Sequence, residues 1–167
     1  GGSAGAEAIR DLLLHRESDA WSAEAEALLF AAARSDHVDR VIRPAVARGA
    51  WVLCDRFVDS SRAYQAATGA LDDAAIMRLH AVGSRGLLPD RTLLLQVPAA
   101  VADARRAARR LDRADRFEER DEAFHAAVLA NFDAIAAAEP ARVRRIPAEG
   151  HAEDVTVRMM AALADLL

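Results

Sequence analysis

Two short apolar runs constrain the fold of this chain more than any other feature of its sequence. Trp51–Cys54 is wholly apolar, and Thr92–Val97 is predominantly so. Such runs are typical of strands buried on both faces of a parallel sheet. Stretches with helical periodicity separate them, and parallel strands need crossover connections of that kind. We therefore expect an α/β fold in which helices flank a parallel sheet.

Helix signals and one further strand complete this pattern. Ser22 and Asp72 are expected N-caps, Gly49 is a good helix stop, and Val143–Ile146 is a third candidate strand. Three strands are few for such a sheet, and no G-x-G-x-x-G follows any of them, which argues against a Rossmann dinucleotide-binding domain. Helical segments are expected at 4–16, 22–49, 72–82, 99–110, 117–138 and 153–167, and a polar loop followed by a helix at 55–67. Pro44 and the Ser35-Asp36 pair argue against one unbroken helix over 22–49.

Composition narrows the class of protein. A chain of 167 residues has the length of one domain, and no apolar run reaches a membrane-spanning length. The net charge of -4 argues against general binding to nucleic acid. A lone cysteine, Cys54, cannot form an internal disulfide, which is typical of a cytoplasmic protein. These observations favour a cytoplasmic protein that binds neither nucleic acid nor membranes.

The basic residues are all arginine. The chain has 22 of them and no lysine. A GC-rich genome accounts for most of this bias. The lack of lysine has a chemical consequence. A phosphate-binding P-loop needs a lysine to reach the transferred phosphate, and this sequence offers none.

The segment from Asp55 to Gln65 carries the most chemistry. It follows a predicted buried strand directly, where open α/β sheets place their ligands. The guanidinium of Arg56 suits phosphate oxygens, and Asp55 beside it can orient that group or bind a water of a magnesium ion. Ser60 and Ser61 stand where a helix begins, so helix capping is an equally good interpretation of these two residues alone.

This segment, D-R-F followed by D-S-S-R-A-Y-Q, resembles the D-R-Y/F/H and D-S-S-x-A-Y-Q motifs of thymidylate kinases. Three further stretches resemble motifs of that family in the same order. They are L-L-F-A-A-A-R at 28–34, L-L-P-D-R-T-L-L-L at 87–95, and D-R-F-E at 115–118 with F-H at 124–125. The first residues, G-G-S-A-G-A-E, also resemble the end of the family's R-E-P-G-G-T/S-x-x-A-E motif. The likeness covers essentially the whole chain.

The resemblance implies a P-loop kinase-like three-layer fold, formed by residues 1–167 as a single domain. It also implies transfer of the γ-phosphate of ATP to dTMP, with Mg²⁺, to give dTDP. The family's first strand and its G-x-x-x-x-G-K-[ST] loop have no counterpart in this sequence. We therefore expect a domain truncated at its N-terminus, which binds dTMP without phosphorylating it.

The resemblance gives individual residues roles in binding dTMP. Phe30 would stack on thymine, although alone it would more readily be interpreted as a core residue. Arg34, one helical turn later, would bind the base or the phosphate. Arg56 would grip the phosphate, with Asp55 beside it. The resemblance also implies a nucleoside pocket formed by Ser60, Ser61, Tyr64 and Gln65.

An arginine-rich stretch at about residues 105–116 would be a lid over ATP. Arg105, Arg109 and Arg113 are the candidates to neutralise charge on the transferred phosphoryl group. Taken alone, such a charge run is more often a solvated helix end or a nucleic-acid patch.

Departures from the motifs leave two alternatives open. The family's G-x-G-R-G loop is here Ala66-Ala67-Thr68-Gly69-Ala70, and the aspartate of its L-x-L-D-V strand is Gln96. The alternatives are a kinase for another nucleoside monophosphate and a non-catalytic nucleotide-binding or dimerising remnant. The apolar helices at Ala23–Val46 predict a homodimer, as the resemblance also implies. We expect Arg56→Ala to abolish dTMP binding and Arg62→Ala to have little effect, and we expect no role for the five histidines.

Overall fold

The computed structural model describes residues 2–14, 21–98, 101–102 and 120–167. The chain forms two compact units. The first comprises the described parts of Gly1–Leu88 together with Arg120–Phe132, and the second those of Pro89–Glu119 together with Asp133–Leu167. The whole of the predicted lid, about 105–116, and most of the predicted helix at 99–110 lie outside the described residues, as does the start of the helix predicted at 117–138.

Five α-helices lie wholly within the described part of the first unit. They are α1 (Ala4–Leu14), α2 (Ala23–His37), α3 (Arg43–Ala47), α4 (Val58–Ala66) and α5 (Asp73–Ser84). Two predicted N-caps are confirmed, because Ser22 Oγ accepts from the Ala25 N–H and an Asp72 carboxylate oxygen accepts from the Ala75 N–H.

One turn of π-helix, Val38–Ile42, joins α2 to α3 without a break in the backbone. The N–H of Arg43 bonds to the carbonyl of Val38, five residues earlier. Pro44 follows at the start of α3. Proline has no N–H and crowds the carbonyl four residues before it, and a widened turn relieves that crowding. Gly49, with φ +78°, follows α3 in the left-handed conformation that commonly ends helices.

The second unit contains a two-stranded parallel sheet. Strand β1 (Thr92–Gln96) pairs with β2 (Val143–Pro147), with Thr92 opposite Val143. Helix α6 (Glu122–Ala138) precedes β2, and α7 (Ala152–Ala161) follows it. Two of the three predicted strands are therefore confirmed.

The strand predicted at Trp51–Cys54 is wrong. These residues are irregular, and Leu53 is 93% exposed. A strand needs a neighbour to bond its N–H and C=O groups, and no described residue pairs with this segment. The pattern predicted an apolar run that is covered on both faces, and the structure shows that this run is not.

Small apolar clusters hold each unit together. In the first unit, Ala63 of α4 packs with Phe124 and Val128 of α6, and the side chain of Asn131 donates to the Ala63 carbonyl at 3.0 Å. In the second, Ile135 and Ala136 of α6 pack with Val143 of β2. No helix among the described residues is long and apolar enough to cross a membrane.

Candidate active site

Arg34 of α2 is the most unusual side chain in the first unit. It is buried, and no carboxylate lies within ion-pair distance of it among the described residues. Its Nη1 donates to Ser61 Oγ at 2.7 Å, and its Nε donates to His80 Nδ1 at 3.2 Å. Burial lowers the pKa of this guanidinium to about 10, so it remains charged at neutral pH. A buried charge held only by neutral partners is costly, which is typical of a binding site.

Three helices meet at this arginine. Ser61 lies on the buried face of α4, and His80 is the most buried polar residue of α5 together with Ser84. Among the described residues, nothing accepts a hydrogen bond from Arg34 Nη2. One guanidinium nitrogen thus keeps its donors available to a ligand. Phe30, one turn before Arg34 on α2, is half-buried.

A second pair of predicted residues meets beside α4. The guanidinium of Arg56 lies 5.0 Å from the centre of the Tyr64 ring, and its Nη2 donates to the Tyr64 hydroxyl over a long 3.4 Å. The Tyr64 ring in turn contacts Phe124 and Phe132 edge-on. Arg56 and Asp55 are exposed. The arrangement leaves the Arg56 charge in solvent while an aromatic ring restrains its position.

The backbone at Arg56 is left-handed, with φ 60°. A bulky residue rarely takes this conformation, which costs about 1–2 kcal/mol, and such strain is concentrated at functional sites. The neighbouring helix begins at Val58 with no side-chain cap at Phe57. Ser60 and Ser61 are therefore not its caps. Ser61 accepts from Arg34 instead, and Ser60 is half-buried.

Gln65 is buried, and its Oε1 has no hydrogen-bond partner among the described residues. A buried amide oxygen without a donor is uncommon in folded proteins. Helix α4 therefore contains an acceptor that a ligand N–H could satisfy, next along the chain from Tyr64.

The two departures from the family motifs have structural counterparts. After α4, the Thr68 hydroxyl donates to the Gln65 carbonyl and accepts from the Ala70 N–H. A threonine-bonded turn thus occupies the place of the glycine-rich loop. In the second unit, Gln96 Nε2 donates to Asp133 at 3.3 Å.

Arg62 is part of the packing between α4 and α5. It is buried, and it pairs with Asp59 at 3.3 Å and with Asp73 at 2.7 Å. It therefore links α4 to the start of α5, and it is not a neutral control for Arg56.

His80 is the residue that sequence reasoning missed. It lies one turn from both Ile76 and Ser84 on the buried face of α5, and its partner Arg34 is 46 residues away in sequence. Helical periodicity can place His80 inside, but it does not identify so distant a partner. Arg105, Arg109 and Arg113 lie outside the described residues.

Comparison with known proteins identifies the family. A family profile described as thymidylate kinase matches residues 1–159. The chain belongs to the thymidylate kinase family. A thymidylate kinase from Rhizorhabdus wittichii is 60% identical over 167 residues, which is all of this chain and 80% of that protein. Another, from Nitrobacter winogradskyi, is 47% identical over 99% of this chain and 72% of its own length.

A solved thymidylate kinase shares the fold. The crystal structure of the enzyme from Ehrlichia chaffeensis superposes on 98% of this chain and 76% of its own, with a TM-score of 0.72 and 25% identity. The expected α/β, P-loop kinase-like fold is therefore confirmed. The thymidylate kinase motifs in the first unit, at 28–34 and 55–65, contain the two residue pairs described above.

Proposed function

We propose that this chain is a dTMP kinase, in which dTMP and ATP react to give dTDP and ADP. A phosphate oxygen of dTMP attacks the γ-phosphorus of ATP, and the bond from that phosphorus to the β-phosphate oxygen breaks. The observation that carries the proposal is the buried Arg34 guanidinium, whose partners within the described part of the chain are neutral and leave its Nη2 without an acceptor. A neutral base carbonyl or a phosphate oxygen would complete its hydrogen bonds.

The roles of the surrounding residues follow from their chemistry. Phe30, half-buried on the same helix, would stack on thymine, and the buried Gln65 Oε1 would accept from the base N3–H. Tyr64 and the two serines would bound the sugar. Arg56 would bind the monophosphate, since an exposed guanidinium restrained by a ring is well suited to phosphate oxygens.

The donor set fits a magnesium ion carried by substrate phosphates. Mg²⁺ keeps several waters and needs only one or two carboxylates besides phosphate oxygens. Asp55 is an exposed carboxylate next to Arg56, and no group of three or more ligating side chains occurs among the described residues. Asp55 would hold the ion or one of its waters. When bound, the ion neutralises phosphate charge.

The chemistry of transfer rests on arginines. Phosphoryl transfer needs positioning and charge neutralisation more than covalent help. Arg105, Arg109 and Arg113 would supply this from a lid over ATP at about 105–116. These 167 residues include no lysine for the nucleotide phosphates. We therefore expect them to bind dTMP without turnover.

The second candidate is a non-catalytic nucleotide-binding or dimerising member of the family. The bonded turn at Thr68 supports it, because it replaces a glycine-rich loop. An ADP-release assay with dTMP and ATP tests this second candidate. Turnover in these 167 residues would exclude the second candidate and our expectation of binding alone.

A homodimer and a cytoplasmic location complete the proposal. Leu28 of α2 and Val46 of α3 are each 55% exposed, on the helices expected to pair with a second copy. Sedimentation velocity tests this interface. We expect a dimer at micromolar concentration and a monomer for Leu28→Glu, whereas a monomeric parent chain would contradict it.

The test of dTMP binding uses Arg34→Met. Methionine retains much of the buried volume and removes every donor, so we expect Kd for dTMP to rise at least about tenfold. Arg78→Met is a matched control, since Arg78 is exposed on α5. Equal affinity of the two variants would overturn the role of Arg34.

A further inference from the structure

A buried histidine fixes the orientation of the Arg34 guanidinium. His80 is 1% exposed, and its Nδ1 lies 3.2 Å from Arg34 Nε. A guanidinium nitrogen can only donate, so Nδ1 must be the acceptor and carry no proton. The hydrogen bond from Arg34 therefore requires the tautomer of His80 in which Nδ1 is unprotonated.

The other ring nitrogen explains how that tautomer is set. His80 Nε2 lies 2.7 Å from the carbonyl oxygen of Leu87, which can only accept. The proton must therefore reside on Nε2. Leu87 follows α5 in the turn that ends it, and the left-handed Arg85 starts that turn. A backbone carbonyl at the end of α5 thereby fixes the acceptor that Arg34 uses.

Packing around the ring leaves it little freedom. The Phe57 ring meets the His80 ring edge-on, with centroids 5.7 Å apart. Phe57 follows Arg56 directly, so one side of the histidine contacts the segment proposed to bind phosphate. Arg34 also donates from Nη1 to Ser61 Oγ, so two neutral acceptors, His80 Nδ1 and Ser61 Oγ, restrain its guanidinium.

We propose that His80 is a positioning residue that holds the Arg34 guanidinium, through Nδ1, in the orientation that presents Nη2 to the nucleotide. The proposal rests on the proposed function for its ligand, dTMP. His80 makes no contact with the reacting atoms and acts only through Arg34. His80 fixes the orientation of the guanidinium plane, because a planar guanidinium that is held at Nε and Nη1 has its third nitrogen fixed as well.

Two variants separate the two bonds of the histidine. In His80→Asn, the amide oxygen takes the place of Nδ1 and preserves an acceptor for Arg34. In His80→Gln, the longer amide places its NH₂ near Nε2 and preserves the donor to Leu87. Each variant loses one buried hydrogen bond, so a purely structural histidine predicts similar behaviour for both.

The experiment measures dTMP affinity calorimetrically in the 167-residue chain and in both variants, with thermal melting beside it. We expect His80→Gln to raise Kd for dTMP about tenfold, which is the effect of losing one hydrogen bond to a charged group. For His80→Asn, we expect Kd to stay within about threefold of the parent value. Equal losses in both variants, or the reverse order, would overturn the positioning role.

A ligand-free readout keeps the proposal testable if the parent chain fails to bind dTMP, a result that would overturn the proposed function instead. In ¹H–¹⁵N spectra, we expect His80 to be the Nε2–H tautomer. The Arg34 Nε–H should exchange slowly in the parent and in His80→Asn, and rapidly in His80→Gln. The Nδ1–H tautomer, or equally slow exchange in all three proteins, would refute the proposal.

Discussion

Ser61 Oγ accepts a 2.7 Å hydrogen bond from Arg34 Nη1, which joins the two helices that contain most of the proposed dTMP site. Arg34 belongs to the motif at 28–34 and Ser61 to the motif at 55–65. Each motif alone is compatible with a structural role. The bond between them places a buried positive charge where both predicted sets of ligand-binding residues meet.

Removing the Ser61 hydroxyl tests that bond. Ser61→Ala leaves a buried guanidinium with one partner fewer, so we expect a loss of about 1.5–3 kcal/mol in the free energy of unfolding. Kd for dTMP should rise with it. Urea denaturation and calorimetry measure the two effects. Ser60→Ala is the comparison, because the Ser60 hydroxyl bonds to none of the described residues. Equal losses of stability in both variants would show that the Arg34 bond contributes nothing.

Arg56→Ala should abolish measurable dTMP binding while leaving stability nearly unchanged. Arg56 is exposed, and its contacts to Tyr64 are a ring stack and a long hydrogen bond, so folding depends little on it. The alanine side chain would have no contact with the Tyr64 ring, whereas the backbone at position 56 would still be left-handed. Calorimetry with dTMP makes the measurement, and Arg78→Ala is the exposed-arginine control. Retained affinity in Arg56→Ala would remove it from the site.

Arg62→Ala should have the opposite pattern of effects, with lower stability and unchanged dTMP affinity. Its guanidinium is buried between Asp59 and Asp73, and removing one partner of a buried pair costs about 3–5 kcal/mol. We expect a lower urea midpoint, and unchanged dTMP affinity of the protein that remains folded. An unchanged midpoint would contradict the buried ion pair.

The pH dependence of stability should include a contribution from His80. Burial is the main cause that lowers the pKa of His80; the hydrogen bond to the Leu87 carbonyl opposes the shift, the positive charge of Arg34 adds to it, and the Asp59 carboxylate opposes it. A histidine with a lowered native pKa is protonated first in the unfolded chain. Stability is therefore complete above about pH 6.5 and falls as the pH drops toward the native pKa.

Denaturation curves at pH 7 and pH 5 check this sign. The parent chain should lose more stability between these values than His80→Gln, which has no imidazole at this position. His37 also has a pKa lowered by burial, and it is present in both proteins, so the comparison isolates His80. Parallel losses in the two proteins would contradict the prediction.

Local signals in the sequence were sufficient for much of the fold. The Ser22 and Asp72 caps and the strands at Thr92 and Val143 depend on short-range patterns, and all four are confirmed. The strand at Trp51–Cys54 failed because a strand also depends on a neighbour, which a run of apolar letters does not specify.

The candidate site divides in the same way. Motifs identified Arg34, Ser61, Arg56 and Tyr64 individually, but not which of them touch. The pairs Arg34–Ser61 and Arg56–Tyr64, and the bond from Arg34 to His80, are tertiary contacts. The small effect of Arg62→Ala on dTMP binding stays a prediction, whereas the two aspartate partners of Arg62 are further tertiary contacts that the motifs did not identify.

Nucleotide selectivity tests the central claim most directly. Competition of dCMP, dGMP and UMP against bound dTMP, measured by calorimetry in the 167-residue chain, compares bases and sugars at one site. We expect dTMP to bind at least about tenfold more tightly than dCMP and dGMP, because a wrong base leaves Arg34 or Gln65 unpaired in a buried position. We expect the same preference over UMP, because its ribose 2′-hydroxyl would meet Tyr64 at the sugar position. Equal affinity for all four nucleotides, or no binding of dTMP, would contradict the account.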